Sequence, residues 1–173
     1  MEIYIPDIYQ KSIYTIDYEA LLLRGIRCLL IDLDNTIAPI NEKIPNEQVK
    51  ELFAELKEKG FKIIIFSNSH KIRVKPFKEE LEVDCCASAK KPKPTKFLAI
   101  MGMYNYKESE IAIIGDSIID DIVGGNGVGI TTILVNPIGK KEFPFAKLRR
   151  IRENRLVKKL RDNDLFTRGR YYD

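Results

Sequence analysis

Five short runs rich in apolar and β-branched residues, 27–31, 62–67, 83–87, 111–114 and 131–135, alternate with longer stretches of helical spacing. That alternation is the pattern of a parallel sheet covered by helices. Within 45–59, Val49, Leu52, Phe53 and Leu56 recur at three- and four-residue intervals, with Pro45 and Asn46 suited to the helix start and Gly60 to its stop. Residues 70–81, 94–103 and 117–126 predict the next helices. Right-handed crossovers then give an α/β fold, a three-layer doubly wound parallel sheet whose functional groups lie where the strands exit.

Size and composition narrow this further. A chain of 173 residues with 45% hydrophobic content is long enough for one substantial core and short for two, so a single domain over 1–173 is expected. Residues 1–24 form a lead-in and 139–173 a basic helix and tail. No run approaches the roughly 20 uncharged apolar residues that span a bilayer, and MEIYIPDIYQ lacks the features of a signal peptide, so a cytoplasmic location is expected. Cys28, Cys85 and Cys86 offer neither a disulfide framework nor a zinc spacing and read as buried free thiols. The only histidine, His70, reads as an exposed loop or helix-start residue.

The chemistry sits at the strand ends. Asp32, Asp34 and Thr36 occupy alternate positions directly after Cys-Leu-Leu-Ile. Two carboxylates at the mouth of a buried strand are costly unless a cation or hydrogen bonds hold them charged. The run 63–66 ends in Ser67 and Asn68 just ahead of a helix, where a hydroxyl and backbone N–H groups can meet phosphate oxygens, although these residues are also ordinary caps. In AKKPKP, prolines stiffen a basic loop; an ammonium fixed there suits charge developing on a phosphoryl group, with Lys90 and Lys93 as rivals to Lys91. Asp116 follows the run 111–114, with Asp120 and Asp121 four and five residues on, supplying the hard oxygen ligands that Mg²⁺ prefers.

Taken in order, strand–DxDxT, strand–Ser, Lys and strand–GDxxxDD, these motifs resemble the haloacid dehalogenase superfamily. DLDNT, FSNS, AKKPKP and GDSIIDDIVGGNGVGITTILVNPI are similar more closely to its YqeG-type subclass IIIA phosphatases, from about Tyr4 to Leu160. The resemblance implies that Asp32 is the nucleophile of an aspartyl-phosphate mechanism and Asp34 the general acid and base. It also implies that Mg²⁺ is held by Asp32, the Asp34 carbonyl and Asp116 with support from Asp121. The phosphoryl group would meet Thr36, Ser67, Asn68 and Lys91. Asp120 and Ser117 depart from common residues of relatives and leave those groups untouched.

Only 32 residues separate Asp34 from Ser67, and 23 separate Ser67 from Lys91, so no cap domain fits and an open site is expected. Such a site suits a phosphorylated substrate that is large or lies at a lipid surface. Residues 139–173 hold 12 Lys+Arg against 5 Asp+Glu, whereas 1–138 hold 17 against 20. Phe145, Leu148, Ile151, Leu156 and Leu160 can form an apolar stripe there, so this helix packs on the sheet or contacts anionic lipid peripherally at the inner membrane face. With little aromatic interleaving and no recognisable module, nucleic acid is not an expected partner. YqeG-type proteins are similar to mitochondrial phosphatidylglycerophosphate phosphatases, which makes that lipid the leading substrate. The alternatives are a phosphatase of soluble metabolites or nucleic-acid ends and a non-catalytic RNA- or protein-binding module.

Overall fold

The computed structural model describes residues 1–139 and 144–173, without the side chains of 144–147 and 149. Six parallel strands, β1 (Ile8–Gln10), β2 (Cys28–Ile31), β3 (Lys62–Phe66), β4 (Asp84–Cys86), β5 (Ile111–Gly115) and β6 (Thr131–Val135), lie in the order β1-β6-β5-β2-β3-β4. The order reverses beside β2, so the exits of β2, β3 and β5 open on one crevice, the place where open α/β sheets bind ligands.

The helices are α1 (Tyr18–Leu23), α2 (Glu47–Glu58), α3 (Lys71–Leu81), α4 (Thr95–Tyr104), α5 (Val123–Val128) and α6 (Pro144–Asp162). Strand alternation divides the core between the two sheet faces. Leu29, Ile31, Ile63 and Ile65 meet Val49, Phe53 and Leu56 of α2 and Val74, Phe77 and Leu81 of α3. Cys28, Leu30, Ile64 and Phe66 meet Phe97 and Ile100 of α4. Each such buried side chain contributes about 1.5–3 kcal/mol, which fixes register as well as stability. Asn46 caps α2 by accepting the Val49 N–H at 3.0 Å. His70 stands exposed at the start of α3, as its isolation predicts.

Three expectations are corrected. Residues 1–24 are more than a lead-in, because Ile8–Gln10 is an edge strand on β6. Tyr9 also exchanges backbone hydrogen bonds of 2.8 and 2.9 Å with Tyr172, which stitches the two ends of the chain together. Cys85 and Cys86 are half-buried on the edge strand β4; Cys28 alone is buried, in a central strand. The expected helix at 117–126 opens with one wide π turn, Ile118–Ile122, before α5.

The stripe on α6 is different in kind. Leu156, Val157 and Leu160 pack with Tyr9, Ile118, Ile122, Leu134 and Phe166, so the helix docks on the sheet. Leu148 and Ile151 are exposed, whereas the charged Glu153 is buried. Phe143 and the Phe145 side chain lie outside the described residues.

Candidate active site

The turn after β2 is built on Asn35. Its φ of 62° is a left-handed conformation that asparagine tolerates better than most residues, and its N–H donates to the Ala38 carbonyl at 2.8 Å. The chain therefore folds back at the strand exit and leaves Asp32 at the crevice floor, with Asp34 nearer its rim.

Lys91 reaches this floor from the loop after β4. Its ammonium donates to Asp32 Oδ1 at 2.7 Å, Asp121 Oδ1 at 2.6 Å and the Phe66 carbonyl at 2.8 Å. All three N–H bonds are thus used in a buried setting, which meets the condition for keeping a charge there. Asn68 fixes the lysine backbone from both sides, accepting its N–H at 2.7 Å and donating to its carbonyl at 3.1 Å. Lys90 and Lys93 are exposed, so the structure brings Lys91 alone of the three into the site.

Asp32, Asp116 and Asp121 each place one carboxylate oxygen within 4.8 Å of the others. Gly115 makes this convergence feasible, because a Cβ there would lie 2.1 Å from Asp121 Oδ2. Burial pushes the Asp32 carboxyl up to about 7 against the pull of Lys91, with Asp121 and Asp34 adding repulsion. Burial likewise raises Asp116 well above the usual carboxylate range, reinforced by Asp32, Asp121 and Glu153. Three carboxylates facing one ammonium leave uncompensated negative charge, and a cluster of hard oxygens with that deficit fits a divalent cation such as Mg²⁺.

The other predicted residues take distinct places. The Thr36 hydroxyl, buried, lies 3.4 Å from Asp116 Oδ1 and donates to it. Ser67 is buried at the end of β3, where its Oγ accepts the Ser69 N–H at 3.1 Å. The Asp34 carboxylate is outside the trio: Ser69 Oγ donates to its Oδ2 and Arg73 Nε to its Oδ1 at 3.0 Å. Asp120 is buried, and its N–H is capped by Ser117 Oγ at 3.2 Å.

Sequence reasoning missed Ser69 and Arg73. The Arg73 guanidinium also donates to the carbonyls of Glu42 and Pro39, the latter at 3.3 Å, so it joins Asp34 and the 39–42 loop to α3. In sequence Arg73 is one of several charged residues on a helix; its position in the first turn after the Ser67 strand end is the only available signal.

This fold and this constellation define a hydrolase: the chain belongs to the haloacid dehalogenase-like hydrolases, whose family matches residues 5–129. It is 32% identical over 158 residues to the protein called "Probable phosphatase YqeG" of Bacillus subtilis (strain 168), covering 91% of this chain and 92% of the relative. It is also 28% identical over 171 residues to phosphatidylglycerophosphate phosphatase 1, chloroplastic/mitochondrial, of Arabidopsis thaliana. That match covers 88% of this chain and 46% of the plant protein, so the chain spans about half of that relative's length. The cobalt-bound form of the deoxy-D-mannose-octulosonate 8-phosphate phosphatase YrbI of Haemophilus influenzae superposes with a TM-score of 0.55 at 13% identity. The superposition covers 68% of this chain and 82% of that one, a likeness of fold alone.

Proposed function

We propose that this chain is a Mg²⁺-dependent phosphomonoesterase that works through a phosphorylated Asp32 and removes the terminal phosphate of phosphatidylglycerophosphate. The observation that carries the reading is the buried Lys91 ammonium bound to Asp32 and Asp121, beside Asp116. Such a site repels anions when empty of cations and accepts a phosphoryl group once the negative excess is neutralised.

Lys91 engages Asp32 Oδ1, which leaves the second carboxylate oxygen to attack phosphorus. A bond forms from that oxygen to phosphorus as the bond from phosphorus to the alcohol oxygen breaks, and the alcohol leaves with a proton from Asp34. Asp34 then takes a proton from water, whose oxygen attacks phosphorus, releasing phosphate and free Asp32. The Lys91 ammonium, bound to Asp32, Asp121 and the Phe66 carbonyl, supplies fixed positive charge beside the transferring group, and the Ser67 hydroxyl contacts it, with Asn68 holding the lysine loop and Thr36 tying down Asp116. Asp32, Asp116 and the Asp34 carbonyl would hold Mg²⁺, with Asp121 supporting, and the ion would supply positive charge against the phosphoryl oxygens.

The lipid substrate is supported by the Arabidopsis relative and by the surroundings of the crevice. The segments between motifs are one helix plus loops, α2 and then α3, so among the described residues no cap domain covers the mouth. Exposed Ile44, Ile72 and Ile138 belong to segments that border it: Ile44 follows the 39–42 loop, Ile72 precedes Arg73, and Ile138 N–H donates to the Asn35 carbonyl at 2.9 Å. Exposed Lys43, Lys71, Lys90 and Lys93 accompany them. Apolar side chains among lysines suit peripheral contact with anionic lipid, with the basic α6 contributing. Among the described residues no helix is long and apolar enough to cross a membrane.

The test is phosphate release with Mg²⁺ from phosphatidylglycerophosphate in anionic vesicles, beside soluble phosphomonoesters, for the natural chain and Asp32→Asn. Lipid turnover lost in the variant is the expected result. Turnover of soluble esters alone would discard the lipid, and retained activity in Asp32→Asn would refute the mechanism.

A further inference from the structure

The family match ends at residue 129, yet a side chain from α6 reaches Ser117, the residue next to Asp116 of the carboxylate cluster. Glu153 projects inward from that helix with only 8% of its side chain exposed. Its Oε1 accepts from Arg168 at 2.9 Å, and its Oε2 accepts from the Ser117 hydroxyl at 3.1 Å. A buried carboxylate held on both oxygens is stable where it stands, and it fixes what it holds.

What it holds is the first residue of the acidic turn, the cap of Ile118–Ile122. Ser117 directly follows Asp116, donates its N–H to Asp121 Oδ2 at 3.1 Å, and accepts the Asp121 N–H on its carbonyl at 3.0 Å. Its Oγ also accepts the Asp120 N–H at 3.2 Å. With a side chain as short as serine, the hydroxyl orientation that serves Asp120 is set by where its proton goes, and the proton goes to Glu153. Leu156, Val157 and Leu160 anchor the helix one and two turns further on, against Ile118 and Ile122 of the same loop. Glu153 is therefore placed by packing, independently of any ligand.

We propose that Glu153, neutralised by Arg168, is a positioning residue for the metal carboxylates, so that docking of α6 sets the affinity of the site for its cation. The inference rests on the Mg²⁺ reading given above. It assigns to the C-terminal helix a share in a centre whose carboxylates come from the strand exits. Partners that orient ligating carboxylates typically contribute about 10–100-fold to metal affinity.

The experiment is calorimetric titration of the full chain with Mg²⁺ alone, without substrate, for the natural protein, Glu153→Ala, Ser117→Ala and the double variant. Each single variant should weaken Mg²⁺ binding about tenfold, and the double variant should be no worse than the weaker single, because both cut one link. Melting temperatures with chelator and with saturating Mg²⁺ give the second readout. A strut that only pins α6 would lower both equally, whereas a positioning residue lowers the Mg²⁺-bound value more. Should Glu153→Ala fail to fold, Ser117→Ala, which leaves the α6 packing intact, decides alone. Affinity within twofold of the natural chain in the folded variants would overturn the role of Glu153. A natural chain that binds no Mg²⁺ would instead bring down the metal-dependent reading itself.

Discussion

Lys91 and Asp121 meet at 2.6 Å with side chains 2% and 1% exposed, an ion pair closed off from water. In such a setting, removing one partner is far more costly than the net worth of the pair, because the other charge is stranded. The same ammonium serves Asp32 at 2.7 Å, so its loss strands two carboxylates.

Lys91→Met should therefore lower stability by about 3–5 kcal/mol in chelator. It should also reduce kcat by about 10²–10³-fold, as a fixed positive charge at the transferring group is lost. Added Mg²⁺ should recover part of the stability and little of the turnover. Denaturant unfolding with and without Mg²⁺, beside steady-state kinetics, checks both.

The carboxylates themselves predict a pH dependence. Asp32 is pushed up to about 7 from 3.8, chiefly by burial, and Asp116 rises in the same direction. From about 4 upward the folded state binds more protons than the unfolded one, so without metal the stability falls as pH rises from about 4 through about 7. A cation competes with those protons, so Mg²⁺ affinity should climb over the same range and saturating Mg²⁺ should flatten the stability profile. Melting temperatures from pH 4 to 8 in chelator and in Mg²⁺ measure it.

Gly115 carries a steric prediction. A Cβ there would lie 2.1 Å from Asp121 Oδ2 and 2.2 Å from its Cγ. Gly115→Ala must move the carboxylate that Lys91 and the Ser117 N–H hold, so kcat should fall at least tenfold while circular dichroism remains that of the natural chain. Substitution at Gly102, where a Cβ meets nothing within 4 Å, is the control and should leave turnover unchanged.

How much of this was legible in the sequence depends on where the information sits. The strands β2, β3, β5 and β6 announce themselves because burial on both faces demands continuous apolar runs. Ile8–Gln10 did not, since three residues carry no period and their partner, β6, lies more than 120 residues away. Asp32, Lys91 and Asp116 stood out because each is polar at the end of an apolar run or in a stiffened loop. The choice of Lys91 over Lys90 and Lys93 needed the Asn68 clamp, a tertiary contact. Glu153 and Arg73 were invisible for the opposite reason: each is an ordinary charge on an amphipathic helix, and only docking turns one toward Ser117 and the other toward Asp34.

Arg73 yields the sharpest kinetic test, because its guanidinium links Asp34 to the Pro39 and Glu42 carbonyls. In the proposed reaction Asp34 matters only as far as the departing oxygen needs a proton. A nitrophenolate leaves without one, whereas an alkoxide does not. Arg73→Ala frees Asp34 from one of its two holders and loosens the loop. It should therefore reduce kcat for an alkyl phosphate by about 10²-fold, the scale of a lost acid catalyst, and change p-nitrophenyl phosphate hydrolysis much less. Arg73→Lys should not restore the loss, since an ammonium cannot span a carboxylate and two carbonyls as the planar fork does. An equal loss on both substrates would mean that Arg73 supports the fold of the crevice and leaves proton transfer alone.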